Sequence, residues 1–334
     1  MKIKTNILKD ALSFLSMGIS SNTSKYENLL VEFETSNGKL KGYTFDGINK
    51  LGMRIFDTNE DFNCTLKFSD IYNIVKACKD EDMELNAFKN YAQIKTNTVS
   101  CKLSVFDHKI NRAYMYKYTN KEDGQKLAKY LGLFKAILNL NHVEECYRYI
   151  YFKDKIMVTN TDDAIIINEK LFNNILLPLK SVEILSTFGE FDYTVDHNNL
   201  CIFCEDKIVE LQLMDATKYQ YDDICDLFIP LKNKITITKD TLSNAINLAS
   251  IFNVENINLV FNVNGANLEI PSIDFVYKLS TTPCIDMTYT LPLSKLKKFL
   301  TIGENLTIGF DSTMFVNVED DIKAIFGIKS ENES

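Results

Sequence analysis

The stretch "LPLKSVEILSTFGEFDYTVD" at 177–196 is echoed at 291–310 by "LPLSKLKKFLTIGENLTIGF", and no other feature of the chain narrows its possible folds as far. Leu177, Pro178, Leu179, Thr187, Gly189 and Glu190 recur 114 residues later as Leu291, Pro292, Leu293, Thr301, Gly303 and Glu304. Self-similarity at a fixed offset is the signature of an architecture built from repeated units. A weaker third copy, "LKFSDIYNIVKACKDEDMEL", lies 111 residues upstream of the first and aligns Phe68 with Leu179, Ile71 with Val182 and Ile74 with Leu185. Three copies at this spacing nearly fill a chain of 334 residues.

Each copy predicts a short helix with apolar residues three to four apart, then an acidic or glycine turn, then an alternating strand run. A second helix in each unit repeats as well: Leu8, Ala11, Leu12 and Ser16 match Leu242, Ala245, Ile246 and Ser250, with Leu127, Leu131 and Phe134 as the middle version. Short strands, "KIKT" and "KITIT", precede the first and last of these helices. Between the two helices run segments such as "NLLVEFETSNGKLKGYTFD" and "RYIYFKDKIMVTNTDDAIIIN", whose Asn-Gly, Lys-Asp and Asp-Asp signals predict antiparallel hairpins. The expected class is α+β: three tandem domains, 1–110, 111–231 and 232–334, each with antiparallel sheets and two helices.

Several other classes are disfavoured. Residues 1–18 resemble a signal peptide only faintly, because Lys9 and Asp10 interrupt the apolar run, and an amphipathic helix is the expectation. No window approaches the roughly 18 uncharged apolar residues of a membrane span, which predicts a soluble protein. Eight scattered cysteines are expected to be reduced thiols. His197, Cys201 and Cys204 resemble part of a zinc site, but no second pair supplies the remaining ligands, and i and i+3 on a strand face opposite ways. No metal and no cofactor is expected. His108, His142 and His197 lack a nucleophile partner, the acidic clusters fall at predicted turns, and no phosphate-binding glycine motif occurs, so an enzyme is not expected.

The charge distribution is uneven. The helical segments 6–18, 68–79, 121–141, 179–188, 239–252 and 292–301 together carry +6, against −8 for the whole chain, which leaves −14 on the rest. Positive charge gathered on helices of an acidic body suits a polyanion held near one surface and repelled elsewhere. Tight sequence-specific DNA binding is disfavoured, because it needs many phosphate contacts and a strongly basic domain.

A three-fold tandem of strand, helix, strands, helix, strands with mildly basic helices resembles the bacterial sliding clamp, the beta subunit of DNA polymerase III. The most specific local matches are "RYIYFKDKIMVTNTDDA" at 148–164, "LLPLKSVEILSTF" at 176–188 and "MDATKYQYDDICDLFIP" at 214–230. The resemblance implies half of a head-to-tail homodimeric ring whose helices surround duplex DNA and tether a DNA polymerase by topology, loaded by a separate clamp loader, in the cytoplasm of a bacterial cell or phage-infected host. On this reading Lys9, Lys76, Lys79, Lys126, Lys129, Lys135, Lys295, Lys297 and Lys298 are the DNA-facing candidates. Weak phosphate contacts suit a ring that must slide, since each direct contact adds salt-sensitive affinity.

The resemblance also implies a hydrophobic pocket for partner peptides, at Tyr151, Thr159, Ile166, Pro230, Phe326 and Ile328. It implies a ring interface in which Val105 and Phe106 meet Ile251 and Phe252 of the next subunit. Two stretches depart from the family around the pocket: a turn usually rich in Gly and His reads "TNTDDA", and the closing segment reads "AIFGIKSENES". Such divergence suits a phage or mobile-element clamp. The alternative is a clamp-like or β-rich adaptor or inhibitor that binds replication proteins without encircling DNA.

Overall fold

The computed structural model describes residues 1–19, 29–228, 233–300, 305–310, 314–318 and 322–326. Its contacts divide the chain into two compact units, one formed by 1–128 with 180–213 and the other by 129–179 with 214–334. Each unit contains one eight-stranded and one four-stranded sheet, with antiparallel pairing throughout. In the first unit, the eight-stranded sheet joins hairpin strands of the first sequence copy to those of the middle copy. The junction is strand Asn49–Asp57 against Lys207–Gln212. In the second unit the middle copy is joined to the third, through Asp163–Ile167 against Ile322–Phe326. Pairing strand edges in this way gives the exposed backbone groups of one copy partners in the next, so the middle copy is shared between units and both sheets bridge the expected boundaries near 110 and 232.

Eight α-helices are described: α1 (Thr5–Leu15), α2 (Phe68–Ala77), α3 (Gln125–Ala128), α4 (Leu131–Ile137), α5 (Leu179–Leu185), α6 (Tyr221–Asp226), α7 (Lys239–Ile251) and α8 (Leu293–Phe299). The amphipathic stripes behave as their spacing predicts. Leu8, Ala11, Leu12 and Leu15 of α1 and Leu242, Ala245, Ile246 and Ala249 of α7 are buried, and Thr238 caps α7 by accepting the N–H of Thr241 at 3.3 Å. The single helix expected over 121–141 is instead a strand, Asn120–Asp123, followed by α3 and α4. Between α3 and α4, Tyr130 sits at φ −100° and ψ −7° with its ring buried beside Phe134, so side-chain packing overrides the helical pattern.

All eight cysteines are free thiols. Cys201 and Cys204 lie on strand Asn199–Cys204; burial pushes the Cys201 thiol up to about 12, and Cys204 Sγ donates to the Glu190 carbonyl at 3.4 Å. Among the described residues no group of three or more His, Cys, Asp or Glu side chains could hold a metal ion, and no helix is long and apolar enough to cross a membrane.

Gly265, at φ +120° in the hairpin between Asn256–Asn262 and Gly265–Ile270, is a position only glycine fills. A Cβ there would lie 2.0 Å from the Ser280 carbonyl oxygen.

Candidate functional site

The stretch "TNTDDA" forms a tight hairpin turn. Asn160 Oδ1 accepts the backbone N–H groups of Asp162 at 3.1 Å and Asp163 at 2.7 Å, Asn160 N donates to the Asp163 carbonyl at 3.0 Å, and Thr161 takes φ +74°. An asparagine bonding its own backbone two and three residues on is the turn chemistry this composition favours. The turn delivers Asp163 to the start of its strand with a carboxylate only 3% exposed. Lys298 donates to Oδ2 at 2.8 Å, and Lys295 Nζ lies 2.9 Å from Oδ1, both from α8.

The first unit contains the counterpart. Asp46 Oδ1 accepts the N–H groups of Ile48 at 2.9 Å and Asn49 at 2.7 Å, and Asp46 N donates to the Asn49 carbonyl at 3.2 Å. Lys180 pairs with Asp46 and also donates to the Ile19 carbonyl, while Ser181 donates to Asn49 Oδ1 at 2.7 Å. Burial acts to raise the Asp46 carboxyl, but the N–H groups of Asn49 and Ile48 and the Lys180 ammonium outweigh it and hold it below the usual carboxylate range.

Beside Asp163 opens a cavity of about 260 Å³, with Thr159, Asp163 and Ala164 on one side, Ile325 from the adjoining strand, and Ile224 and Leu227 from α6 and the residue after it. A buried aromatic cluster lies nearby, with Tyr151 stacked on Tyr219 at 4.8 Å and edge-on to Tyr221 at 5.3 Å. Of the expected pocket residues, Thr159 lines the cavity, its hydroxyl donating to the Asp163 carbonyl at 2.9 Å. Tyr151 and Ile166 belong to the buried cluster, and Phe326 is fully buried against Phe299, with ring centroids 4.4 Å apart. Pro230 and Ile328 lie outside the described residues. Sequence reasoning missed Ile224, Leu227 and Ile325; the only signal at hand was the departure "TNTDDA", which was legible as unusual but not as lining.

The candidate DNA-facing lysines differ in their surroundings. Lys9 donates to the Cys78 carbonyl at 2.7 Å, tying α1 to the end of α2. Lys76 is exposed beside the Tyr72 ring at 5.5 Å, and Lys79, Lys135 and Lys297 are exposed. Lys126 pairs with Glu122 at 3.6 Å, and Lys129 lies 3.6 Å from Glu169 and 4.6 Å from the Tyr130 ring. Lys295, whose side chain is 17% exposed, and Lys298, at 31%, turn to Asp163.

Val105 bridges to Leu66, and Phe106, whose N–H donates to the Thr65 carbonyl at 2.9 Å, packs on Leu30, Tyr43 and Ile110. Both line a cavity of about 730 Å³ in the first unit together with Arg112, which bonds Glu32 and Glu34. Ile251 and Phe252, in the second unit, are 68% and 46% exposed, the Phe252 ring 5.4 Å from Phe275. Each four-stranded sheet has two edge strands among the described residues, Lys2–Lys4 and Ser100–Ser104 in the first unit and Phe275–Ser280 and Met287–Pro292 in the second.

Neither a protein-family model nor a curated protein matches the sequence. Solved structures match over at least 98% of it. The DNA polymerase III beta chain of Streptococcus pneumoniae is 15% identical with a TM-score of 0.84, covering 98% of this chain and 99% of its own. That of Thermotoga maritima is 14% identical with a TM-score of 0.82, covering 98% of each chain. The Helicobacter pylori beta clamp bound to a DNA ligase peptide is 16% identical with a TM-score of 0.80, covering 99% of each. At such identities the likeness establishes the architecture: over nearly its full length, this chain has the fold of the bacterial DNA polymerase III beta subunit, the sliding clamp.

Proposed function

We propose that the protein is a DNA sliding clamp: a non-catalytic processivity factor that closes into a head-to-tail homodimeric ring around duplex DNA and tethers a replicative polymerase. The observation that carries this reading is the agreement in fold with clamps of several bacteria over at least 98% of both chains. On this reading the chain has three tandem clamp domains, 1–110, 111–231 and 232–334. The unpaired edges of Ser100–Ser104 and Phe275–Ser280 offer strand-to-strand closure, with Val105 and Phe106 meeting Ile251 and Phe252 of the next subunit.

With Lys295 and Lys298 engaged by Asp163, the other seven lysines are the candidate DNA surface, and water-mediated phosphate contacts would let the ring slide. The cavity beside Asp163 is the candidate peptide pocket, reached by polymerase and clamp loader in turn.

The deciding experiment loads the protein with its cognate clamp loader onto nicked circular DNA. Retention on the circle, followed by release on linearisation, is the expected result. Equal retention on circular and linear templates, or a strictly monomeric mass at micromolar concentration, overturns the ring.

A further inference from the structure

We propose that the cavity beside Asp163 selects a partner segment in which an apolar side chain is flanked by Lys or Arg. This rests on reading the cavity as a partner pocket and adds the chemical class of its occupant.

The cavity is small. Its volume of about 260 Å³ lies below the ~300–1,000 Å³ of small-molecule pockets, which suits one or two inserted side chains rather than a cofactor. Its apolar wall comes from Ala164, Ile224, Leu227 and Ile325, and Leu227 stands 58% exposed beside it. Leu227 thus carries the apolar lining of Ala164, Ile224 and Ile325 out to solvent, where an entering apolar side chain would meet it.

The charge of the lining has one sign. Asp162, Asp163 and Asp223 contribute carboxylates, and among the described residues no Lys or Arg lines the cavity. Asp163 is met from α8 by Lys298 at 2.8 Å and Lys295 at 2.9 Å. Its Oδ1 has the ion-pair contact without hydrogen-bond geometry. Asp162 and Asp223 are exposed and have no ion pair among the described residues, so their charge faces whatever enters. They come from two separate elements, the hairpin turn and α6, and so bracket an entering chain with negative charge. An acidic segment meets like charges there, whereas a basic one gains a few-fold from each exposed pair.

The test uses two labelled peptides of equal length, Lys-Lys-Leu-Phe-Lys and Glu-Glu-Leu-Phe-Glu, titrated with the full-length protein at low salt and read by fluorescence anisotropy. The lysine peptide is expected to bind about tenfold more tightly, with the advantage shrinking as salt is added. D162N/D223N should abolish the preference while leaving the apolar contribution, and L227S should weaken both peptides. Equal affinities, or a preference for the glutamate peptide, overturn the basic flank and leave the pocket reading standing. A lysine preference that survives in D162N/D223N overturns the proposal by assigning it to another acidic surface. Binding of neither peptide, with the protein folded by its thermal melt, overturns the pocket reading and the proposal together.

Discussion

Ser181 donates its hydroxyl to Asn49 Oδ1 at 2.7 Å, with both residues at most 1% exposed. The same pair of positions 114 residues further on, Lys295 and Asp163, forms an ion pair at 2.9 Å. The turns that present Asn49 and Asp163 are built alike. Asp46 and Asn160, again 114 residues apart, each accept two backbone N–H groups, and the next residue, Gly47 or Thr161, has positive φ. A helix of one sequence copy is thus fastened to a hairpin turn of the preceding copy twice over, by a neutral hydrogen bond in the first unit and by charge in the second.

Replacing Ser181 by Ala leaves Asn49 Oδ1 buried without its donor. The expected loss is about 1–3 kcal/mol of stability, read as a lower denaturant midpoint. A change under about 0.3 kcal/mol would mean that water replaces the hydroxyl.

The lysines of α8 separate into two groups. Reversing Lys295 and Lys298 to Glu sets two further carboxylates against buried Asp163 and should cost on the order of 3–5 kcal/mol, visible in a thermal melt. Lys297→Glu alone should leave the melt unchanged. If Lys297 meets DNA, this variant should also weaken retention on circular DNA and lower the salt slope by about 1.

Acid should loosen the first unit through Asp46. A carboxyl held below its ordinary range contributes stability that is fully present above about pH 4 and is lost as pH falls through the folded-state value. Asp46→Asn should therefore be less stable than the wild type at neutral pH, with the difference narrowing as pH is lowered. A difference that stays constant from pH 7 to pH 3 would contradict this role.

Ile251→Asp and Phe252→Asp alter side chains that are 68% and 46% exposed, so each variant should melt within about 1 kcal/mol of the wild type. If these residues close the ring, the double variant should be a folded monomer by light scattering. A dimer of unchanged affinity would remove them from the interface.

The repeat period, the hairpins and the buried stripes were legible in the residues alone. Leu8, Leu12, Leu242 and Ile246 were legible as core because helical spacing and apolar character are local properties. The hairpins were legible because Asn-Gly and Asp-Asp turns are local chemistry. The tertiary structure alone decided how the copies share their sheets, that the helix expected over 121–141 breaks at Tyr130, and which side chains border the cavity. It also decided what Lys295 and Lys298 do. Counted along the chain they are the densest positive cluster, yet in three dimensions they meet the carboxylate of Asp163, more than a hundred residues away. A charge pattern records how many cations a helix carries; only the fold decides which of them find a buried anion, because that pairing depends on contacts between segments far apart in sequence.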